Sequence, residues 1–509
     1  MFGRRDSVKG RVLFMTSSDT QPQNLVLQAA ERYKMRGMNE LSANVSEVVS
    51  SSPAKSAHLG WPQIFAWSIG TVGPVTVLYL VSSGFLIYMT DVLGVSGALA
   101  GTLIFGVRIY DMFVDPLMGY VSDRTRSPMG RRRPWMLAGA FAITAGCIAL
   151  FSVPSPGAAT SHTSLIFWTL IALLVYFTGY SMFNVPYMAM PAEMTDSFHD
   201  RTRLMSVRVL FVALSSALGA ALAPRLIKLY GGGADSYQIT AVVIGVIGLA
   251  SMLLCVFATR RSRATTATET PMPLLQQFSV VLSNKPFVVL VSAKLMLLLS
   301  MSSLTATLWY MVQHVLHYDL NVASNISLAQ TAGMLVLLPL WLWLARRNDK
   351  RRLFVIASVG TTTVLLSWML VAPGEPITLL VLRGFMLGAF AGGSLLMGQS
   401  MLPDTMEYDY RRSGVRREGA YSGVYSLVEK AGFAFGPLIV GLLLTSAGYN
   451  FVAGSKTPAV LSSEAVRAVY WGVSLVPAFA TIVCIVLLRY YTLTEAALNA
   501  TQRECAERP

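Results

Sequence analysis

Residues 97–133 read GALAGTLIFGVRIYDMFVDPLMGYVSDRTRSPMGRRR, and this stretch identifies the class of protein. Its apolar run, 97–121, is long enough to cross the roughly 30 Å hydrocarbon core of a bilayer as a helix. The run carries three ionisable residues, Arg108, Asp111 and Asp115, and a basic loop follows it at once. Ionisable residues inside a membrane helix are rare and usually functional. We therefore expect a membrane protein with a working site inside the bilayer.

The composition of the chain shows that this run is one of many. Of the 509 residues, 54% are hydrophobic and 13% are charged, whereas a soluble domain carries roughly 25% charged residues. Apolar runs of spanning length lie at 64–89, 97–121, 134–153, 164–190, 204–228, 238–258, 286–312, 323–345, 353–372, 376–402, 421–447 and 466–489. They predict an all-α membrane protein with twelve transmembrane helices in two six-helix halves.

The domain boundaries follow from the same pattern. The predicted halves are 61–258 and 286–490, separated by a charged cytoplasmic connector at 259–285. Residues 1–60 are polar and serine-rich and lack the apolar segment of a signal peptide. We predict a disordered cytoplasmic extension there, with a mis-assigned start codon as the alternative, and a cytoplasmic tail at 491–509.

The net charge of +14 is distributed as in a membrane protein. Loops after the even-numbered runs hold 20 lysine and arginine residues, and loops after the odd-numbered runs hold one, Lys456. Since cytoplasmic loops carry such an excess, both termini are predicted to be cytoplasmic in a plasma (inner) membrane. Nucleic-acid binding is not expected from charges placed this way. The four cysteines, and the pair His314 and His317, show neither disulfide nor metal-site spacing.

A faint internal repeat relates the two halves. The loop after the second run contains Asp123-Arg124 and then GRRR at 130–133, and the loop after the eighth run reads RRNDKRR at 346–352. Such equivalence is expected of parallel repeats around a central pathway. The first of these loops, with Gly119 ahead of it, resembles the signature loop of the major facilitator superfamily.

A longer match points to one branch of that superfamily. Residues 108–119 (RIYDMFVDPLMG), with Thr90-Asp91, 184–187 (NVPY) and 420–422 (AYS), resemble the glycoside–pentoside–hexuronide:cation symporters, which include the melibiose permease. The resemblance extends over roughly residues 60–490. It implies the major facilitator fold and cation-coupled transport of a sugar or glycoside.

Asp111 and Asp115 are the predicted cation-binding residues. With Arg108 they lie at i, i+3 and i+7, on one helical face. Two carboxylates on one face bind Na⁺ or share a proton; a static ion pair of Arg108 with one of them is the alternative. The resemblance implies a cation site and adds the hydroxyl of Ser181 to it.

Lys430 and Arg108 are the predicted charge-compensating residues. Lys430 lies about nine residues inside the eleventh run, and a buried ammonium needs partners such as the two carboxylates. A structural pair is again the alternative. Lys294 and Arg383 lie nearer the ends of their runs, so we expect them to snorkel to the membrane interface.

Asn184, Tyr187 and Arg208 are the substrate-binding residues that the resemblance implies. Arg208 matches an arginine of the family's sugar site, although its place near the end of its run also fits snorkelling. In the melibiose permease pattern, sugar-binding carboxylates stand where this chain has Asn184 and Val75. An amide binds hydroxyls without charge assistance, so the match does not predict a galactoside.

The charged cytoplasmic loops are predicted to form a gate. The loop 403–420 carries both signs of charge, and pairs between it and the first half would close the inner face during alternating access. Solvated loop charge is the alternative. The predicted gate residues are Asp123, Arg124, Glu193, Asp404, Glu407 and Arg416.

Together these residues predict a symporter, not an enzyme. Its expected partners are a bilayer, a small polar solute such as a sugar or glycoside, and a coupling ion, Na⁺ or H⁺. No cofactor is expected, and family members commonly act as monomers. An amphipathic substrate such as a lysolipid, and a non-transporting membrane sensor, are the alternatives. A wide channel would favour polar rings in several runs, which this sequence lacks.

Overall fold

The described part of the chain folds into twelve long helices, each apolar enough to cross a bilayer. A computed structural model describes residues 59–153, 162–195, 198–260, 281–413, 418–449 and 462–493. The helices are α1 Trp61–Val92, α2 Gly97–Arg124, α3 Arg133–Phe151, α4 Thr163–Pro191, α5 Arg203–Leu229, α6 Ala234–Ala258, α7 Lys285–Val315, α8 Leu320–Ala345, α9 Lys350–Leu370, α10 Ile377–Arg412, α11 Ala420–Ser446 and α12 Ser463–Arg489. The predicted N-terminal extension up to residue 58, the connector residues 261–280 and the tail from residue 494 lie outside the described residues.

Local sequence signals account for where many helices begin. Proline occupies the first turn of α1, α3 and α7, where its missing N–H loses no intrahelical hydrogen bond. Four starts, that of α7 among them, have a side-chain oxygen that accepts a hydrogen bond from a backbone N–H of the first turn. These capping residues are Ser96 for α2, Asn284 for α7, Asp349 for α9 and Ser462 for α12.

The same helix pairs recur in the two halves. In the first half, α3 packs against α4 and α6, α1 against α5 and α6, and α2 against α4. In the second half, α9 packs against α10 and α12, α7 against α11 and α12, and α8 against α10. Each first-half pair thus has a counterpart six helices later, as parallel repeats require. The halves meet where α2 packs against α11, α5 against α8 and α1 against α7.

Helices α1 and α7 end in the same unusual way. A π-helical turn closes each of them, Tyr88–Val92 in α1 and Met311–Val315 in α7. The residue two positions later has a positive φ in both, 67° at Gly94 and 54° at His317. Single π turns often mark functional positions. We refer to the end of the bundle that carries these turns as the outer end, because the charge distribution predicts that it faces outward.

The tenth helix is longer than the sequence predicted. The apolar run ends at 402 and a loop was expected at 403–420, but α10 continues to Arg412 and α11 begins at Ala420. An ion pair of 2.8 Å between Glu407 and Arg411, one helical turn apart, supports the extension. The predicted start of the loop at residue 403 is therefore wrong, and the gate candidates Asp404 and Glu407 lie on a helix.

Candidate functional site

The two carboxylates of α2 meet a serine of α4 and a lysine of α11. The Ser181 hydroxyl lies 2.7 Å from Asp111 Oδ1 and 2.6 Å from Asp115 Oδ1. Lys430 Nζ lies 2.7 Å from Asp111 Oδ2 and 2.6 Å from Asp115 Oδ2. The structure thus brings together all three predicted cation ligands and one predicted charge-compensating residue. We refer to these four side chains as the carboxylate cluster.

Burial differs sharply within the carboxylate cluster. The Asp111 side chain is fully buried, while 27% of Asp115 and 16% of Lys430 remain exposed. The ammonium of Lys430 sits between the two carboxylates, where a bound cation would make its contacts. A cation therefore has to compete with Lys430 for these oxygens, or a proton has to neutralise one of them.

Arg108 does not take part in the carboxylate cluster. Its guanidinium lies 4.4 Å from the centre of the Phe177 ring, a cation–π contact. Its Nε is buried without a hydrogen-bond partner. Among the described residues, no carboxylate forms an ion pair with it. Its predicted charge-compensating role is therefore not realised by direct pairing in this conformation, and neither is the alternative of a static pair.

The three predicted substrate-binding residues occupy different surroundings. Tyr187 is only 1% exposed and stacks on Trp67 with 4.7 Å between the ring centres. Its hydroxyl lies 2.8 Å from that of Thr71 and donates to the Trp67 carbonyl. The expectation that Tyr187 faces the substrate is corrected: it belongs to the core of the first half, since its ring fits between α1 and α4.

Asn184 and Arg208 keep surfaces that a solute can reach. Both are half-buried. Arg208 faces the hydroxyl of Tyr187, and its Nε has no hydrogen-bond partner among the described residues. Asn184 lies one helical turn beyond Ser181, towards the inner end of α4. Their role in substrate binding stays a prediction.

The predicted gate residues pair within their own halves. In the first half, Asp123 lies 2.8 Å from Arg132, and Glu193 contacts Arg131 and Arg132. In the second half, Asp404 lies 2.6 Å from Lys350. Arg124 stacks on Tyr120, and Arg416 lies outside the described residues. No ion pair between described residues joins the halves at the inner end, so the gate stays a prediction for another conformation.

A second ion pair lies inside the bundle and was not predicted from the sequence. Lys294 was expected to snorkel, but its side chain is 3% exposed and its Nζ lies 2.8 Å from Glu429 Oε2 and 3.2 Å from the centre of the Tyr425 ring. The snorkelling prediction is wrong because α7 packs against α11, which places Glu429 and Tyr425 beside the Lys294 ammonium. Glu429 precedes Lys430, so consecutive residues of α11 serve different ion pairs. By contrast Arg383 lies near the outer end and pairs with Glu375.

A polar network at the outer end was not predicted from the sequence either. Asp91, in the π turn of α1, lies 2.6 Å from Nε2 of His314 in the π turn of α7. Asp91 Oδ1 accepts hydrogen bonds from Thr90 and from Tyr449, both at 2.8 Å. Burial, and then the Asp91 carboxylate, raise the pKa of the Tyr449 hydroxyl above its ordinary value, so it stays a donor. This network joins the two halves across the outer end.

Comparison with known proteins gives three kinds of likeness. A family model described as MFS/sugar transport protein matches residues 66–495. The uncharacterized symporter YnaJ of Bacillus subtilis is 29% identical over 84% of this chain and 91% of its own. The putative glycoside/cation symporter YagG of Escherichia coli is 27% identical over 82% and 88%.

Solved structures extend the likeness to the fold. A bacterial homologue of the human lysosomal transporter Spinster superposes with a TM-score of 0.60, covering 88% of this chain and 98% of its own. The two sequences share 13% identity, so this likeness concerns the fold alone.

Proposed function

This chain belongs to the MFS/sugar transport family, and we propose from that premise that it couples uptake of a sugar or glycoside to a cation gradient. The family and the solved structures agree with the predicted major facilitator fold. The relative YagG carries the name of a glycoside/cation symporter. The matched proteins are transporters, which argues against the sensor alternative.

The observation that carries the proposal is that the carboxylate cluster spans the two halves. Asp111, Asp115 and Ser181 belong to the first half, whereas Lys430 belongs to the second and lies 2.6–2.7 Å from both carboxylates. A cation that takes over these oxygens replaces a contact between the halves. Since a ligand shifts a conformational equilibrium only through its differential affinity for the two states, cation binding here changes how the halves are held together.

This arrangement leads to a transport cycle. With the cation site empty, Lys430 balances one of the two negative charges of the carboxylates and links α2 to α11. Binding of Na⁺, or protonation of one carboxylate, releases Lys430 from part of that contact. Substrate bound beside Asn184 and Arg208 then favours the return movement of the halves, and both ligands leave on the other side.

The remaining features of the proposal concern the protein as a whole. The excess of basic residues in the loops after the even-numbered helices supports two cytoplasmic termini in the plasma (inner) membrane. We propose a monomer without a cofactor, since the carboxylate cluster, Arg108 and Arg208 all belong to one chain. A reporter that fluoresces only in the cytoplasm, fused to the C-terminus, tests the orientation.

Uptake into proteoliposomes tests the proposed coupling. Labelled sugars and glycosides are supplied under an imposed Na⁺ or H⁺ gradient, with wild type, Asp111→Asn and Asp115→Asn. Wild type should accumulate at least one compound under one of the gradients. Either variant should lose accumulation, because each removes a carboxylate of the cation site, while exchange of substrate down its own gradient persists.

Asp235→Asn is the matched control. Asp235 is exposed in the first turn of α6, so its loss should leave accumulation unchanged. If uptake depends on neither gradient and is unchanged in Asp111→Asn and Asp115→Asn, the proposed cation site is wrong. The protein would then be a uniporter.

A further inference from the structure

A narrow cavity lies between the two halves, on the outer side of the carboxylate cluster. It is enclosed by α1, α2, α4, α7 and α11. Arg108 of α2 lines it and is 9% exposed. The cavity has room for a few water molecules. A sugar ring therefore does not fit in it, whereas a monatomic ion does.

The polar groups of this wall that are left for a ligand are hydrogen-bond donors. The Arg108 guanidinium can only donate, and it forms no hydrogen bond with a described residue; its Nε is buried without a partner. The hydroxyl of Ser82, on α1, also lacks a partner in the described part of the chain. By contrast, Ser302 and Thr305 of α7 already donate to backbone carbonyls. A ligand in the cavity thus meets a cationic donor and a hydroxyl donor.

The surroundings of Arg108 favour an anion with a single charge. A buried guanidinium is costly without an anion, and the ring of Phe177 stacked on it compensates only part of that cost. The rest of the wall is apolar, with Ile104, Leu173 and Phe433 among its side chains. Since the cost of removing an ion from water rises steeply with its charge, a monovalent ion is favoured over a divalent one.

The charge balance links this cavity to the cation site. With both carboxylates ionised, Arg108, Lys430, Asp111 and Asp115 sum to zero. One bound Na⁺, or one added proton, leaves an excess of one positive charge in a poorly solvated region. One monovalent anion in the cavity restores neutrality, so cation and anion favour each other's binding, and this coupling is reciprocal.

We propose that the cavity binds one chloride ion, held by the guanidinium of Arg108 and the hydroxyl of Ser82. Both residues belong to the first half, whereas Ser302 and Thr305 on the opposite wall belong to the second. The ion is enclosed only while the outer ends of the halves meet, so it favours the conformation closed to the outside. The link between chloride and the coupling cation rests on the proposed symport; the anion site itself does not.

Thermal unfolding of the purified protein tests the site with chloride as the probe. Chloride replaces gluconate, which is too large for the cavity, at constant sodium concentration and ionic strength and at two pH values. The Tm of wild type should rise saturably by about 2 °C or more, because a ligand that binds the folded state stabilises it. Chloride should also lower the Na⁺ or proton concentration for half-maximal stabilisation by about 5-fold or more.

Variants of the cavity separate chloride binding from general salt effects. Arg108→Gln should abolish the chloride-dependent rise in Tm, and Arg108→Lys should keep part of it, because lysine keeps the charge. Ser82→Ala should raise the half-saturating chloride concentration by about 10-fold, the loss expected for a hydrogen bond to a charged group. Arg383→Gln is the control: Arg383 already pairs with Glu375 near the outer end, so the chloride response should not change.

Bromide locates the ion directly and does not depend on any variant. In crystals grown with bromide in place of chloride, anomalous scattering should show one ion between Arg108 and Ser82. An empty cavity in bromide, a Tm that chloride does not raise, or a rise that survives Arg108→Gln would each overturn the anion site.

The outcomes for this inference and for symport are distinct. Gradient-driven uptake of a sugar, in a protein whose Tm and cation dependence do not respond to chloride, overturns the anion site and leaves the proposed symport standing. Chloride binding that depends on Arg108, without gradient-driven uptake of any sugar, supports the anion site and contradicts symport.

Discussion

At the scale of single residues, the hydroxyl of Ser181 holds two carboxylates of α2 at similar distances, 2.7 and 2.6 Å. One hydroxyl has one proton and donates to one oxygen at a time. The second carboxylate is therefore left for Lys430, for a proton or for a metal cation. Ser181 thus sets the spacing of the oxygens that a small cation needs.

Replacing Ser181 with alanine should weaken cation binding and spare the rest of the protein. A hydrogen bond to a charged group contributes roughly 1.5–3 kcal/mol, so the cation concentration for half-maximal uptake should rise by about 10-fold or more. Uptake into proteoliposomes at increasing cation concentration measures this half-maximal concentration. Ser446→Ala is the control, since Ser446 is exposed at the end of α11. An unchanged cation dependence would exclude Ser181 from the cation site.

Removing Lys430 should destabilise the protein, and a second change should rescue it. In Lys430→Gln, the fully buried Asp111 loses its ammonium partner, and breaking a buried pair costs about 3–5 kcal/mol. Adding Asp111→Asn removes the uncompensated charge and should recover most of the loss. Thermal unfolding in detergent measures both variants. Additive losses in the double variant would show that the two side chains do not act as a pair.

At the scale of helices, close contact between α2 and α11 holds the outer ends of the halves together. A Cβ atom at Gly101 would lie 2.6 Å from the Pro437 carbonyl oxygen, and one at Gly441 would lie 2.1 Å from that of Gly97. Real side chains do not approach a backbone oxygen so closely. The helices meet at this distance only because these positions are glycine.

Gly101→Val should therefore hinder closure of the outer end. The side chain meets backbone and not a flexible side chain, so α2 and α11 have to separate. Substrate binding from the outside should persist while transport falls by about 10-fold or more. A 10-fold loss corresponds to a closed conformation that is destabilised by roughly 1.4 kcal/mol relative to the open one. Gly106→Val is a matched control on the same helix, since nothing lies within 4 Å of a Cβ there. Equal transport by both variants would contradict this closing contact.

At the scale of the whole molecule, the contacts between the halves concentrate at the outer end and at the carboxylate cluster. Asp91 with His314, and Lys228 with Asp319 at 2.5 Å, join the halves at the outer end. The described charges of the inner end pair within their own halves. We interpret this arrangement as a conformation closed to the outside, in which the predicted inner gate is not engaged.

Asp91→Asn should loosen this outer closure. The change weakens the contact with His314 and the hydrogen bonds from Thr90 and Tyr449, which are charge-assisted in wild type. Ser82 lines a cavity between the two halves, and Ser82→Cys places a thiol there. This thiol should react with an impermeant maleimide added outside about 10-fold faster when Asp91→Asn is also present. Asp235→Asn, a change at an exposed carboxylate, should leave the rate as in wild type. Equal rates in all three proteins would show that Asp91 does not hold the outer end closed.

The sequence by itself determined the number of spans, and it also predicted the orientation and the proposed ligands of a cation. Bilayer thickness sets the length of an apolar run, and helical periodicity places Asp111 and Asp115 on one face, so both follow from local spacing. The depth of Lys430 in its run predicted that its ammonium needs the two carboxylates as partners, and the family resemblance supplied Ser181.

The tertiary structure alone revealed two further charge pairs that join separate helices. Asp91 and His314 lie 223 residues apart, and Lys294 and Glu429 lie 135 apart, so no spacing along the chain relates them. Tyr187 likewise became a core residue because Trp67 packs against its ring. Arg108 has no carboxylate partner among the described residues, and α4 presents the ring of Phe177 to its guanidinium instead. Each outcome depends on how separate helices pack, which a linear pattern of apolar and charged residues does not specify.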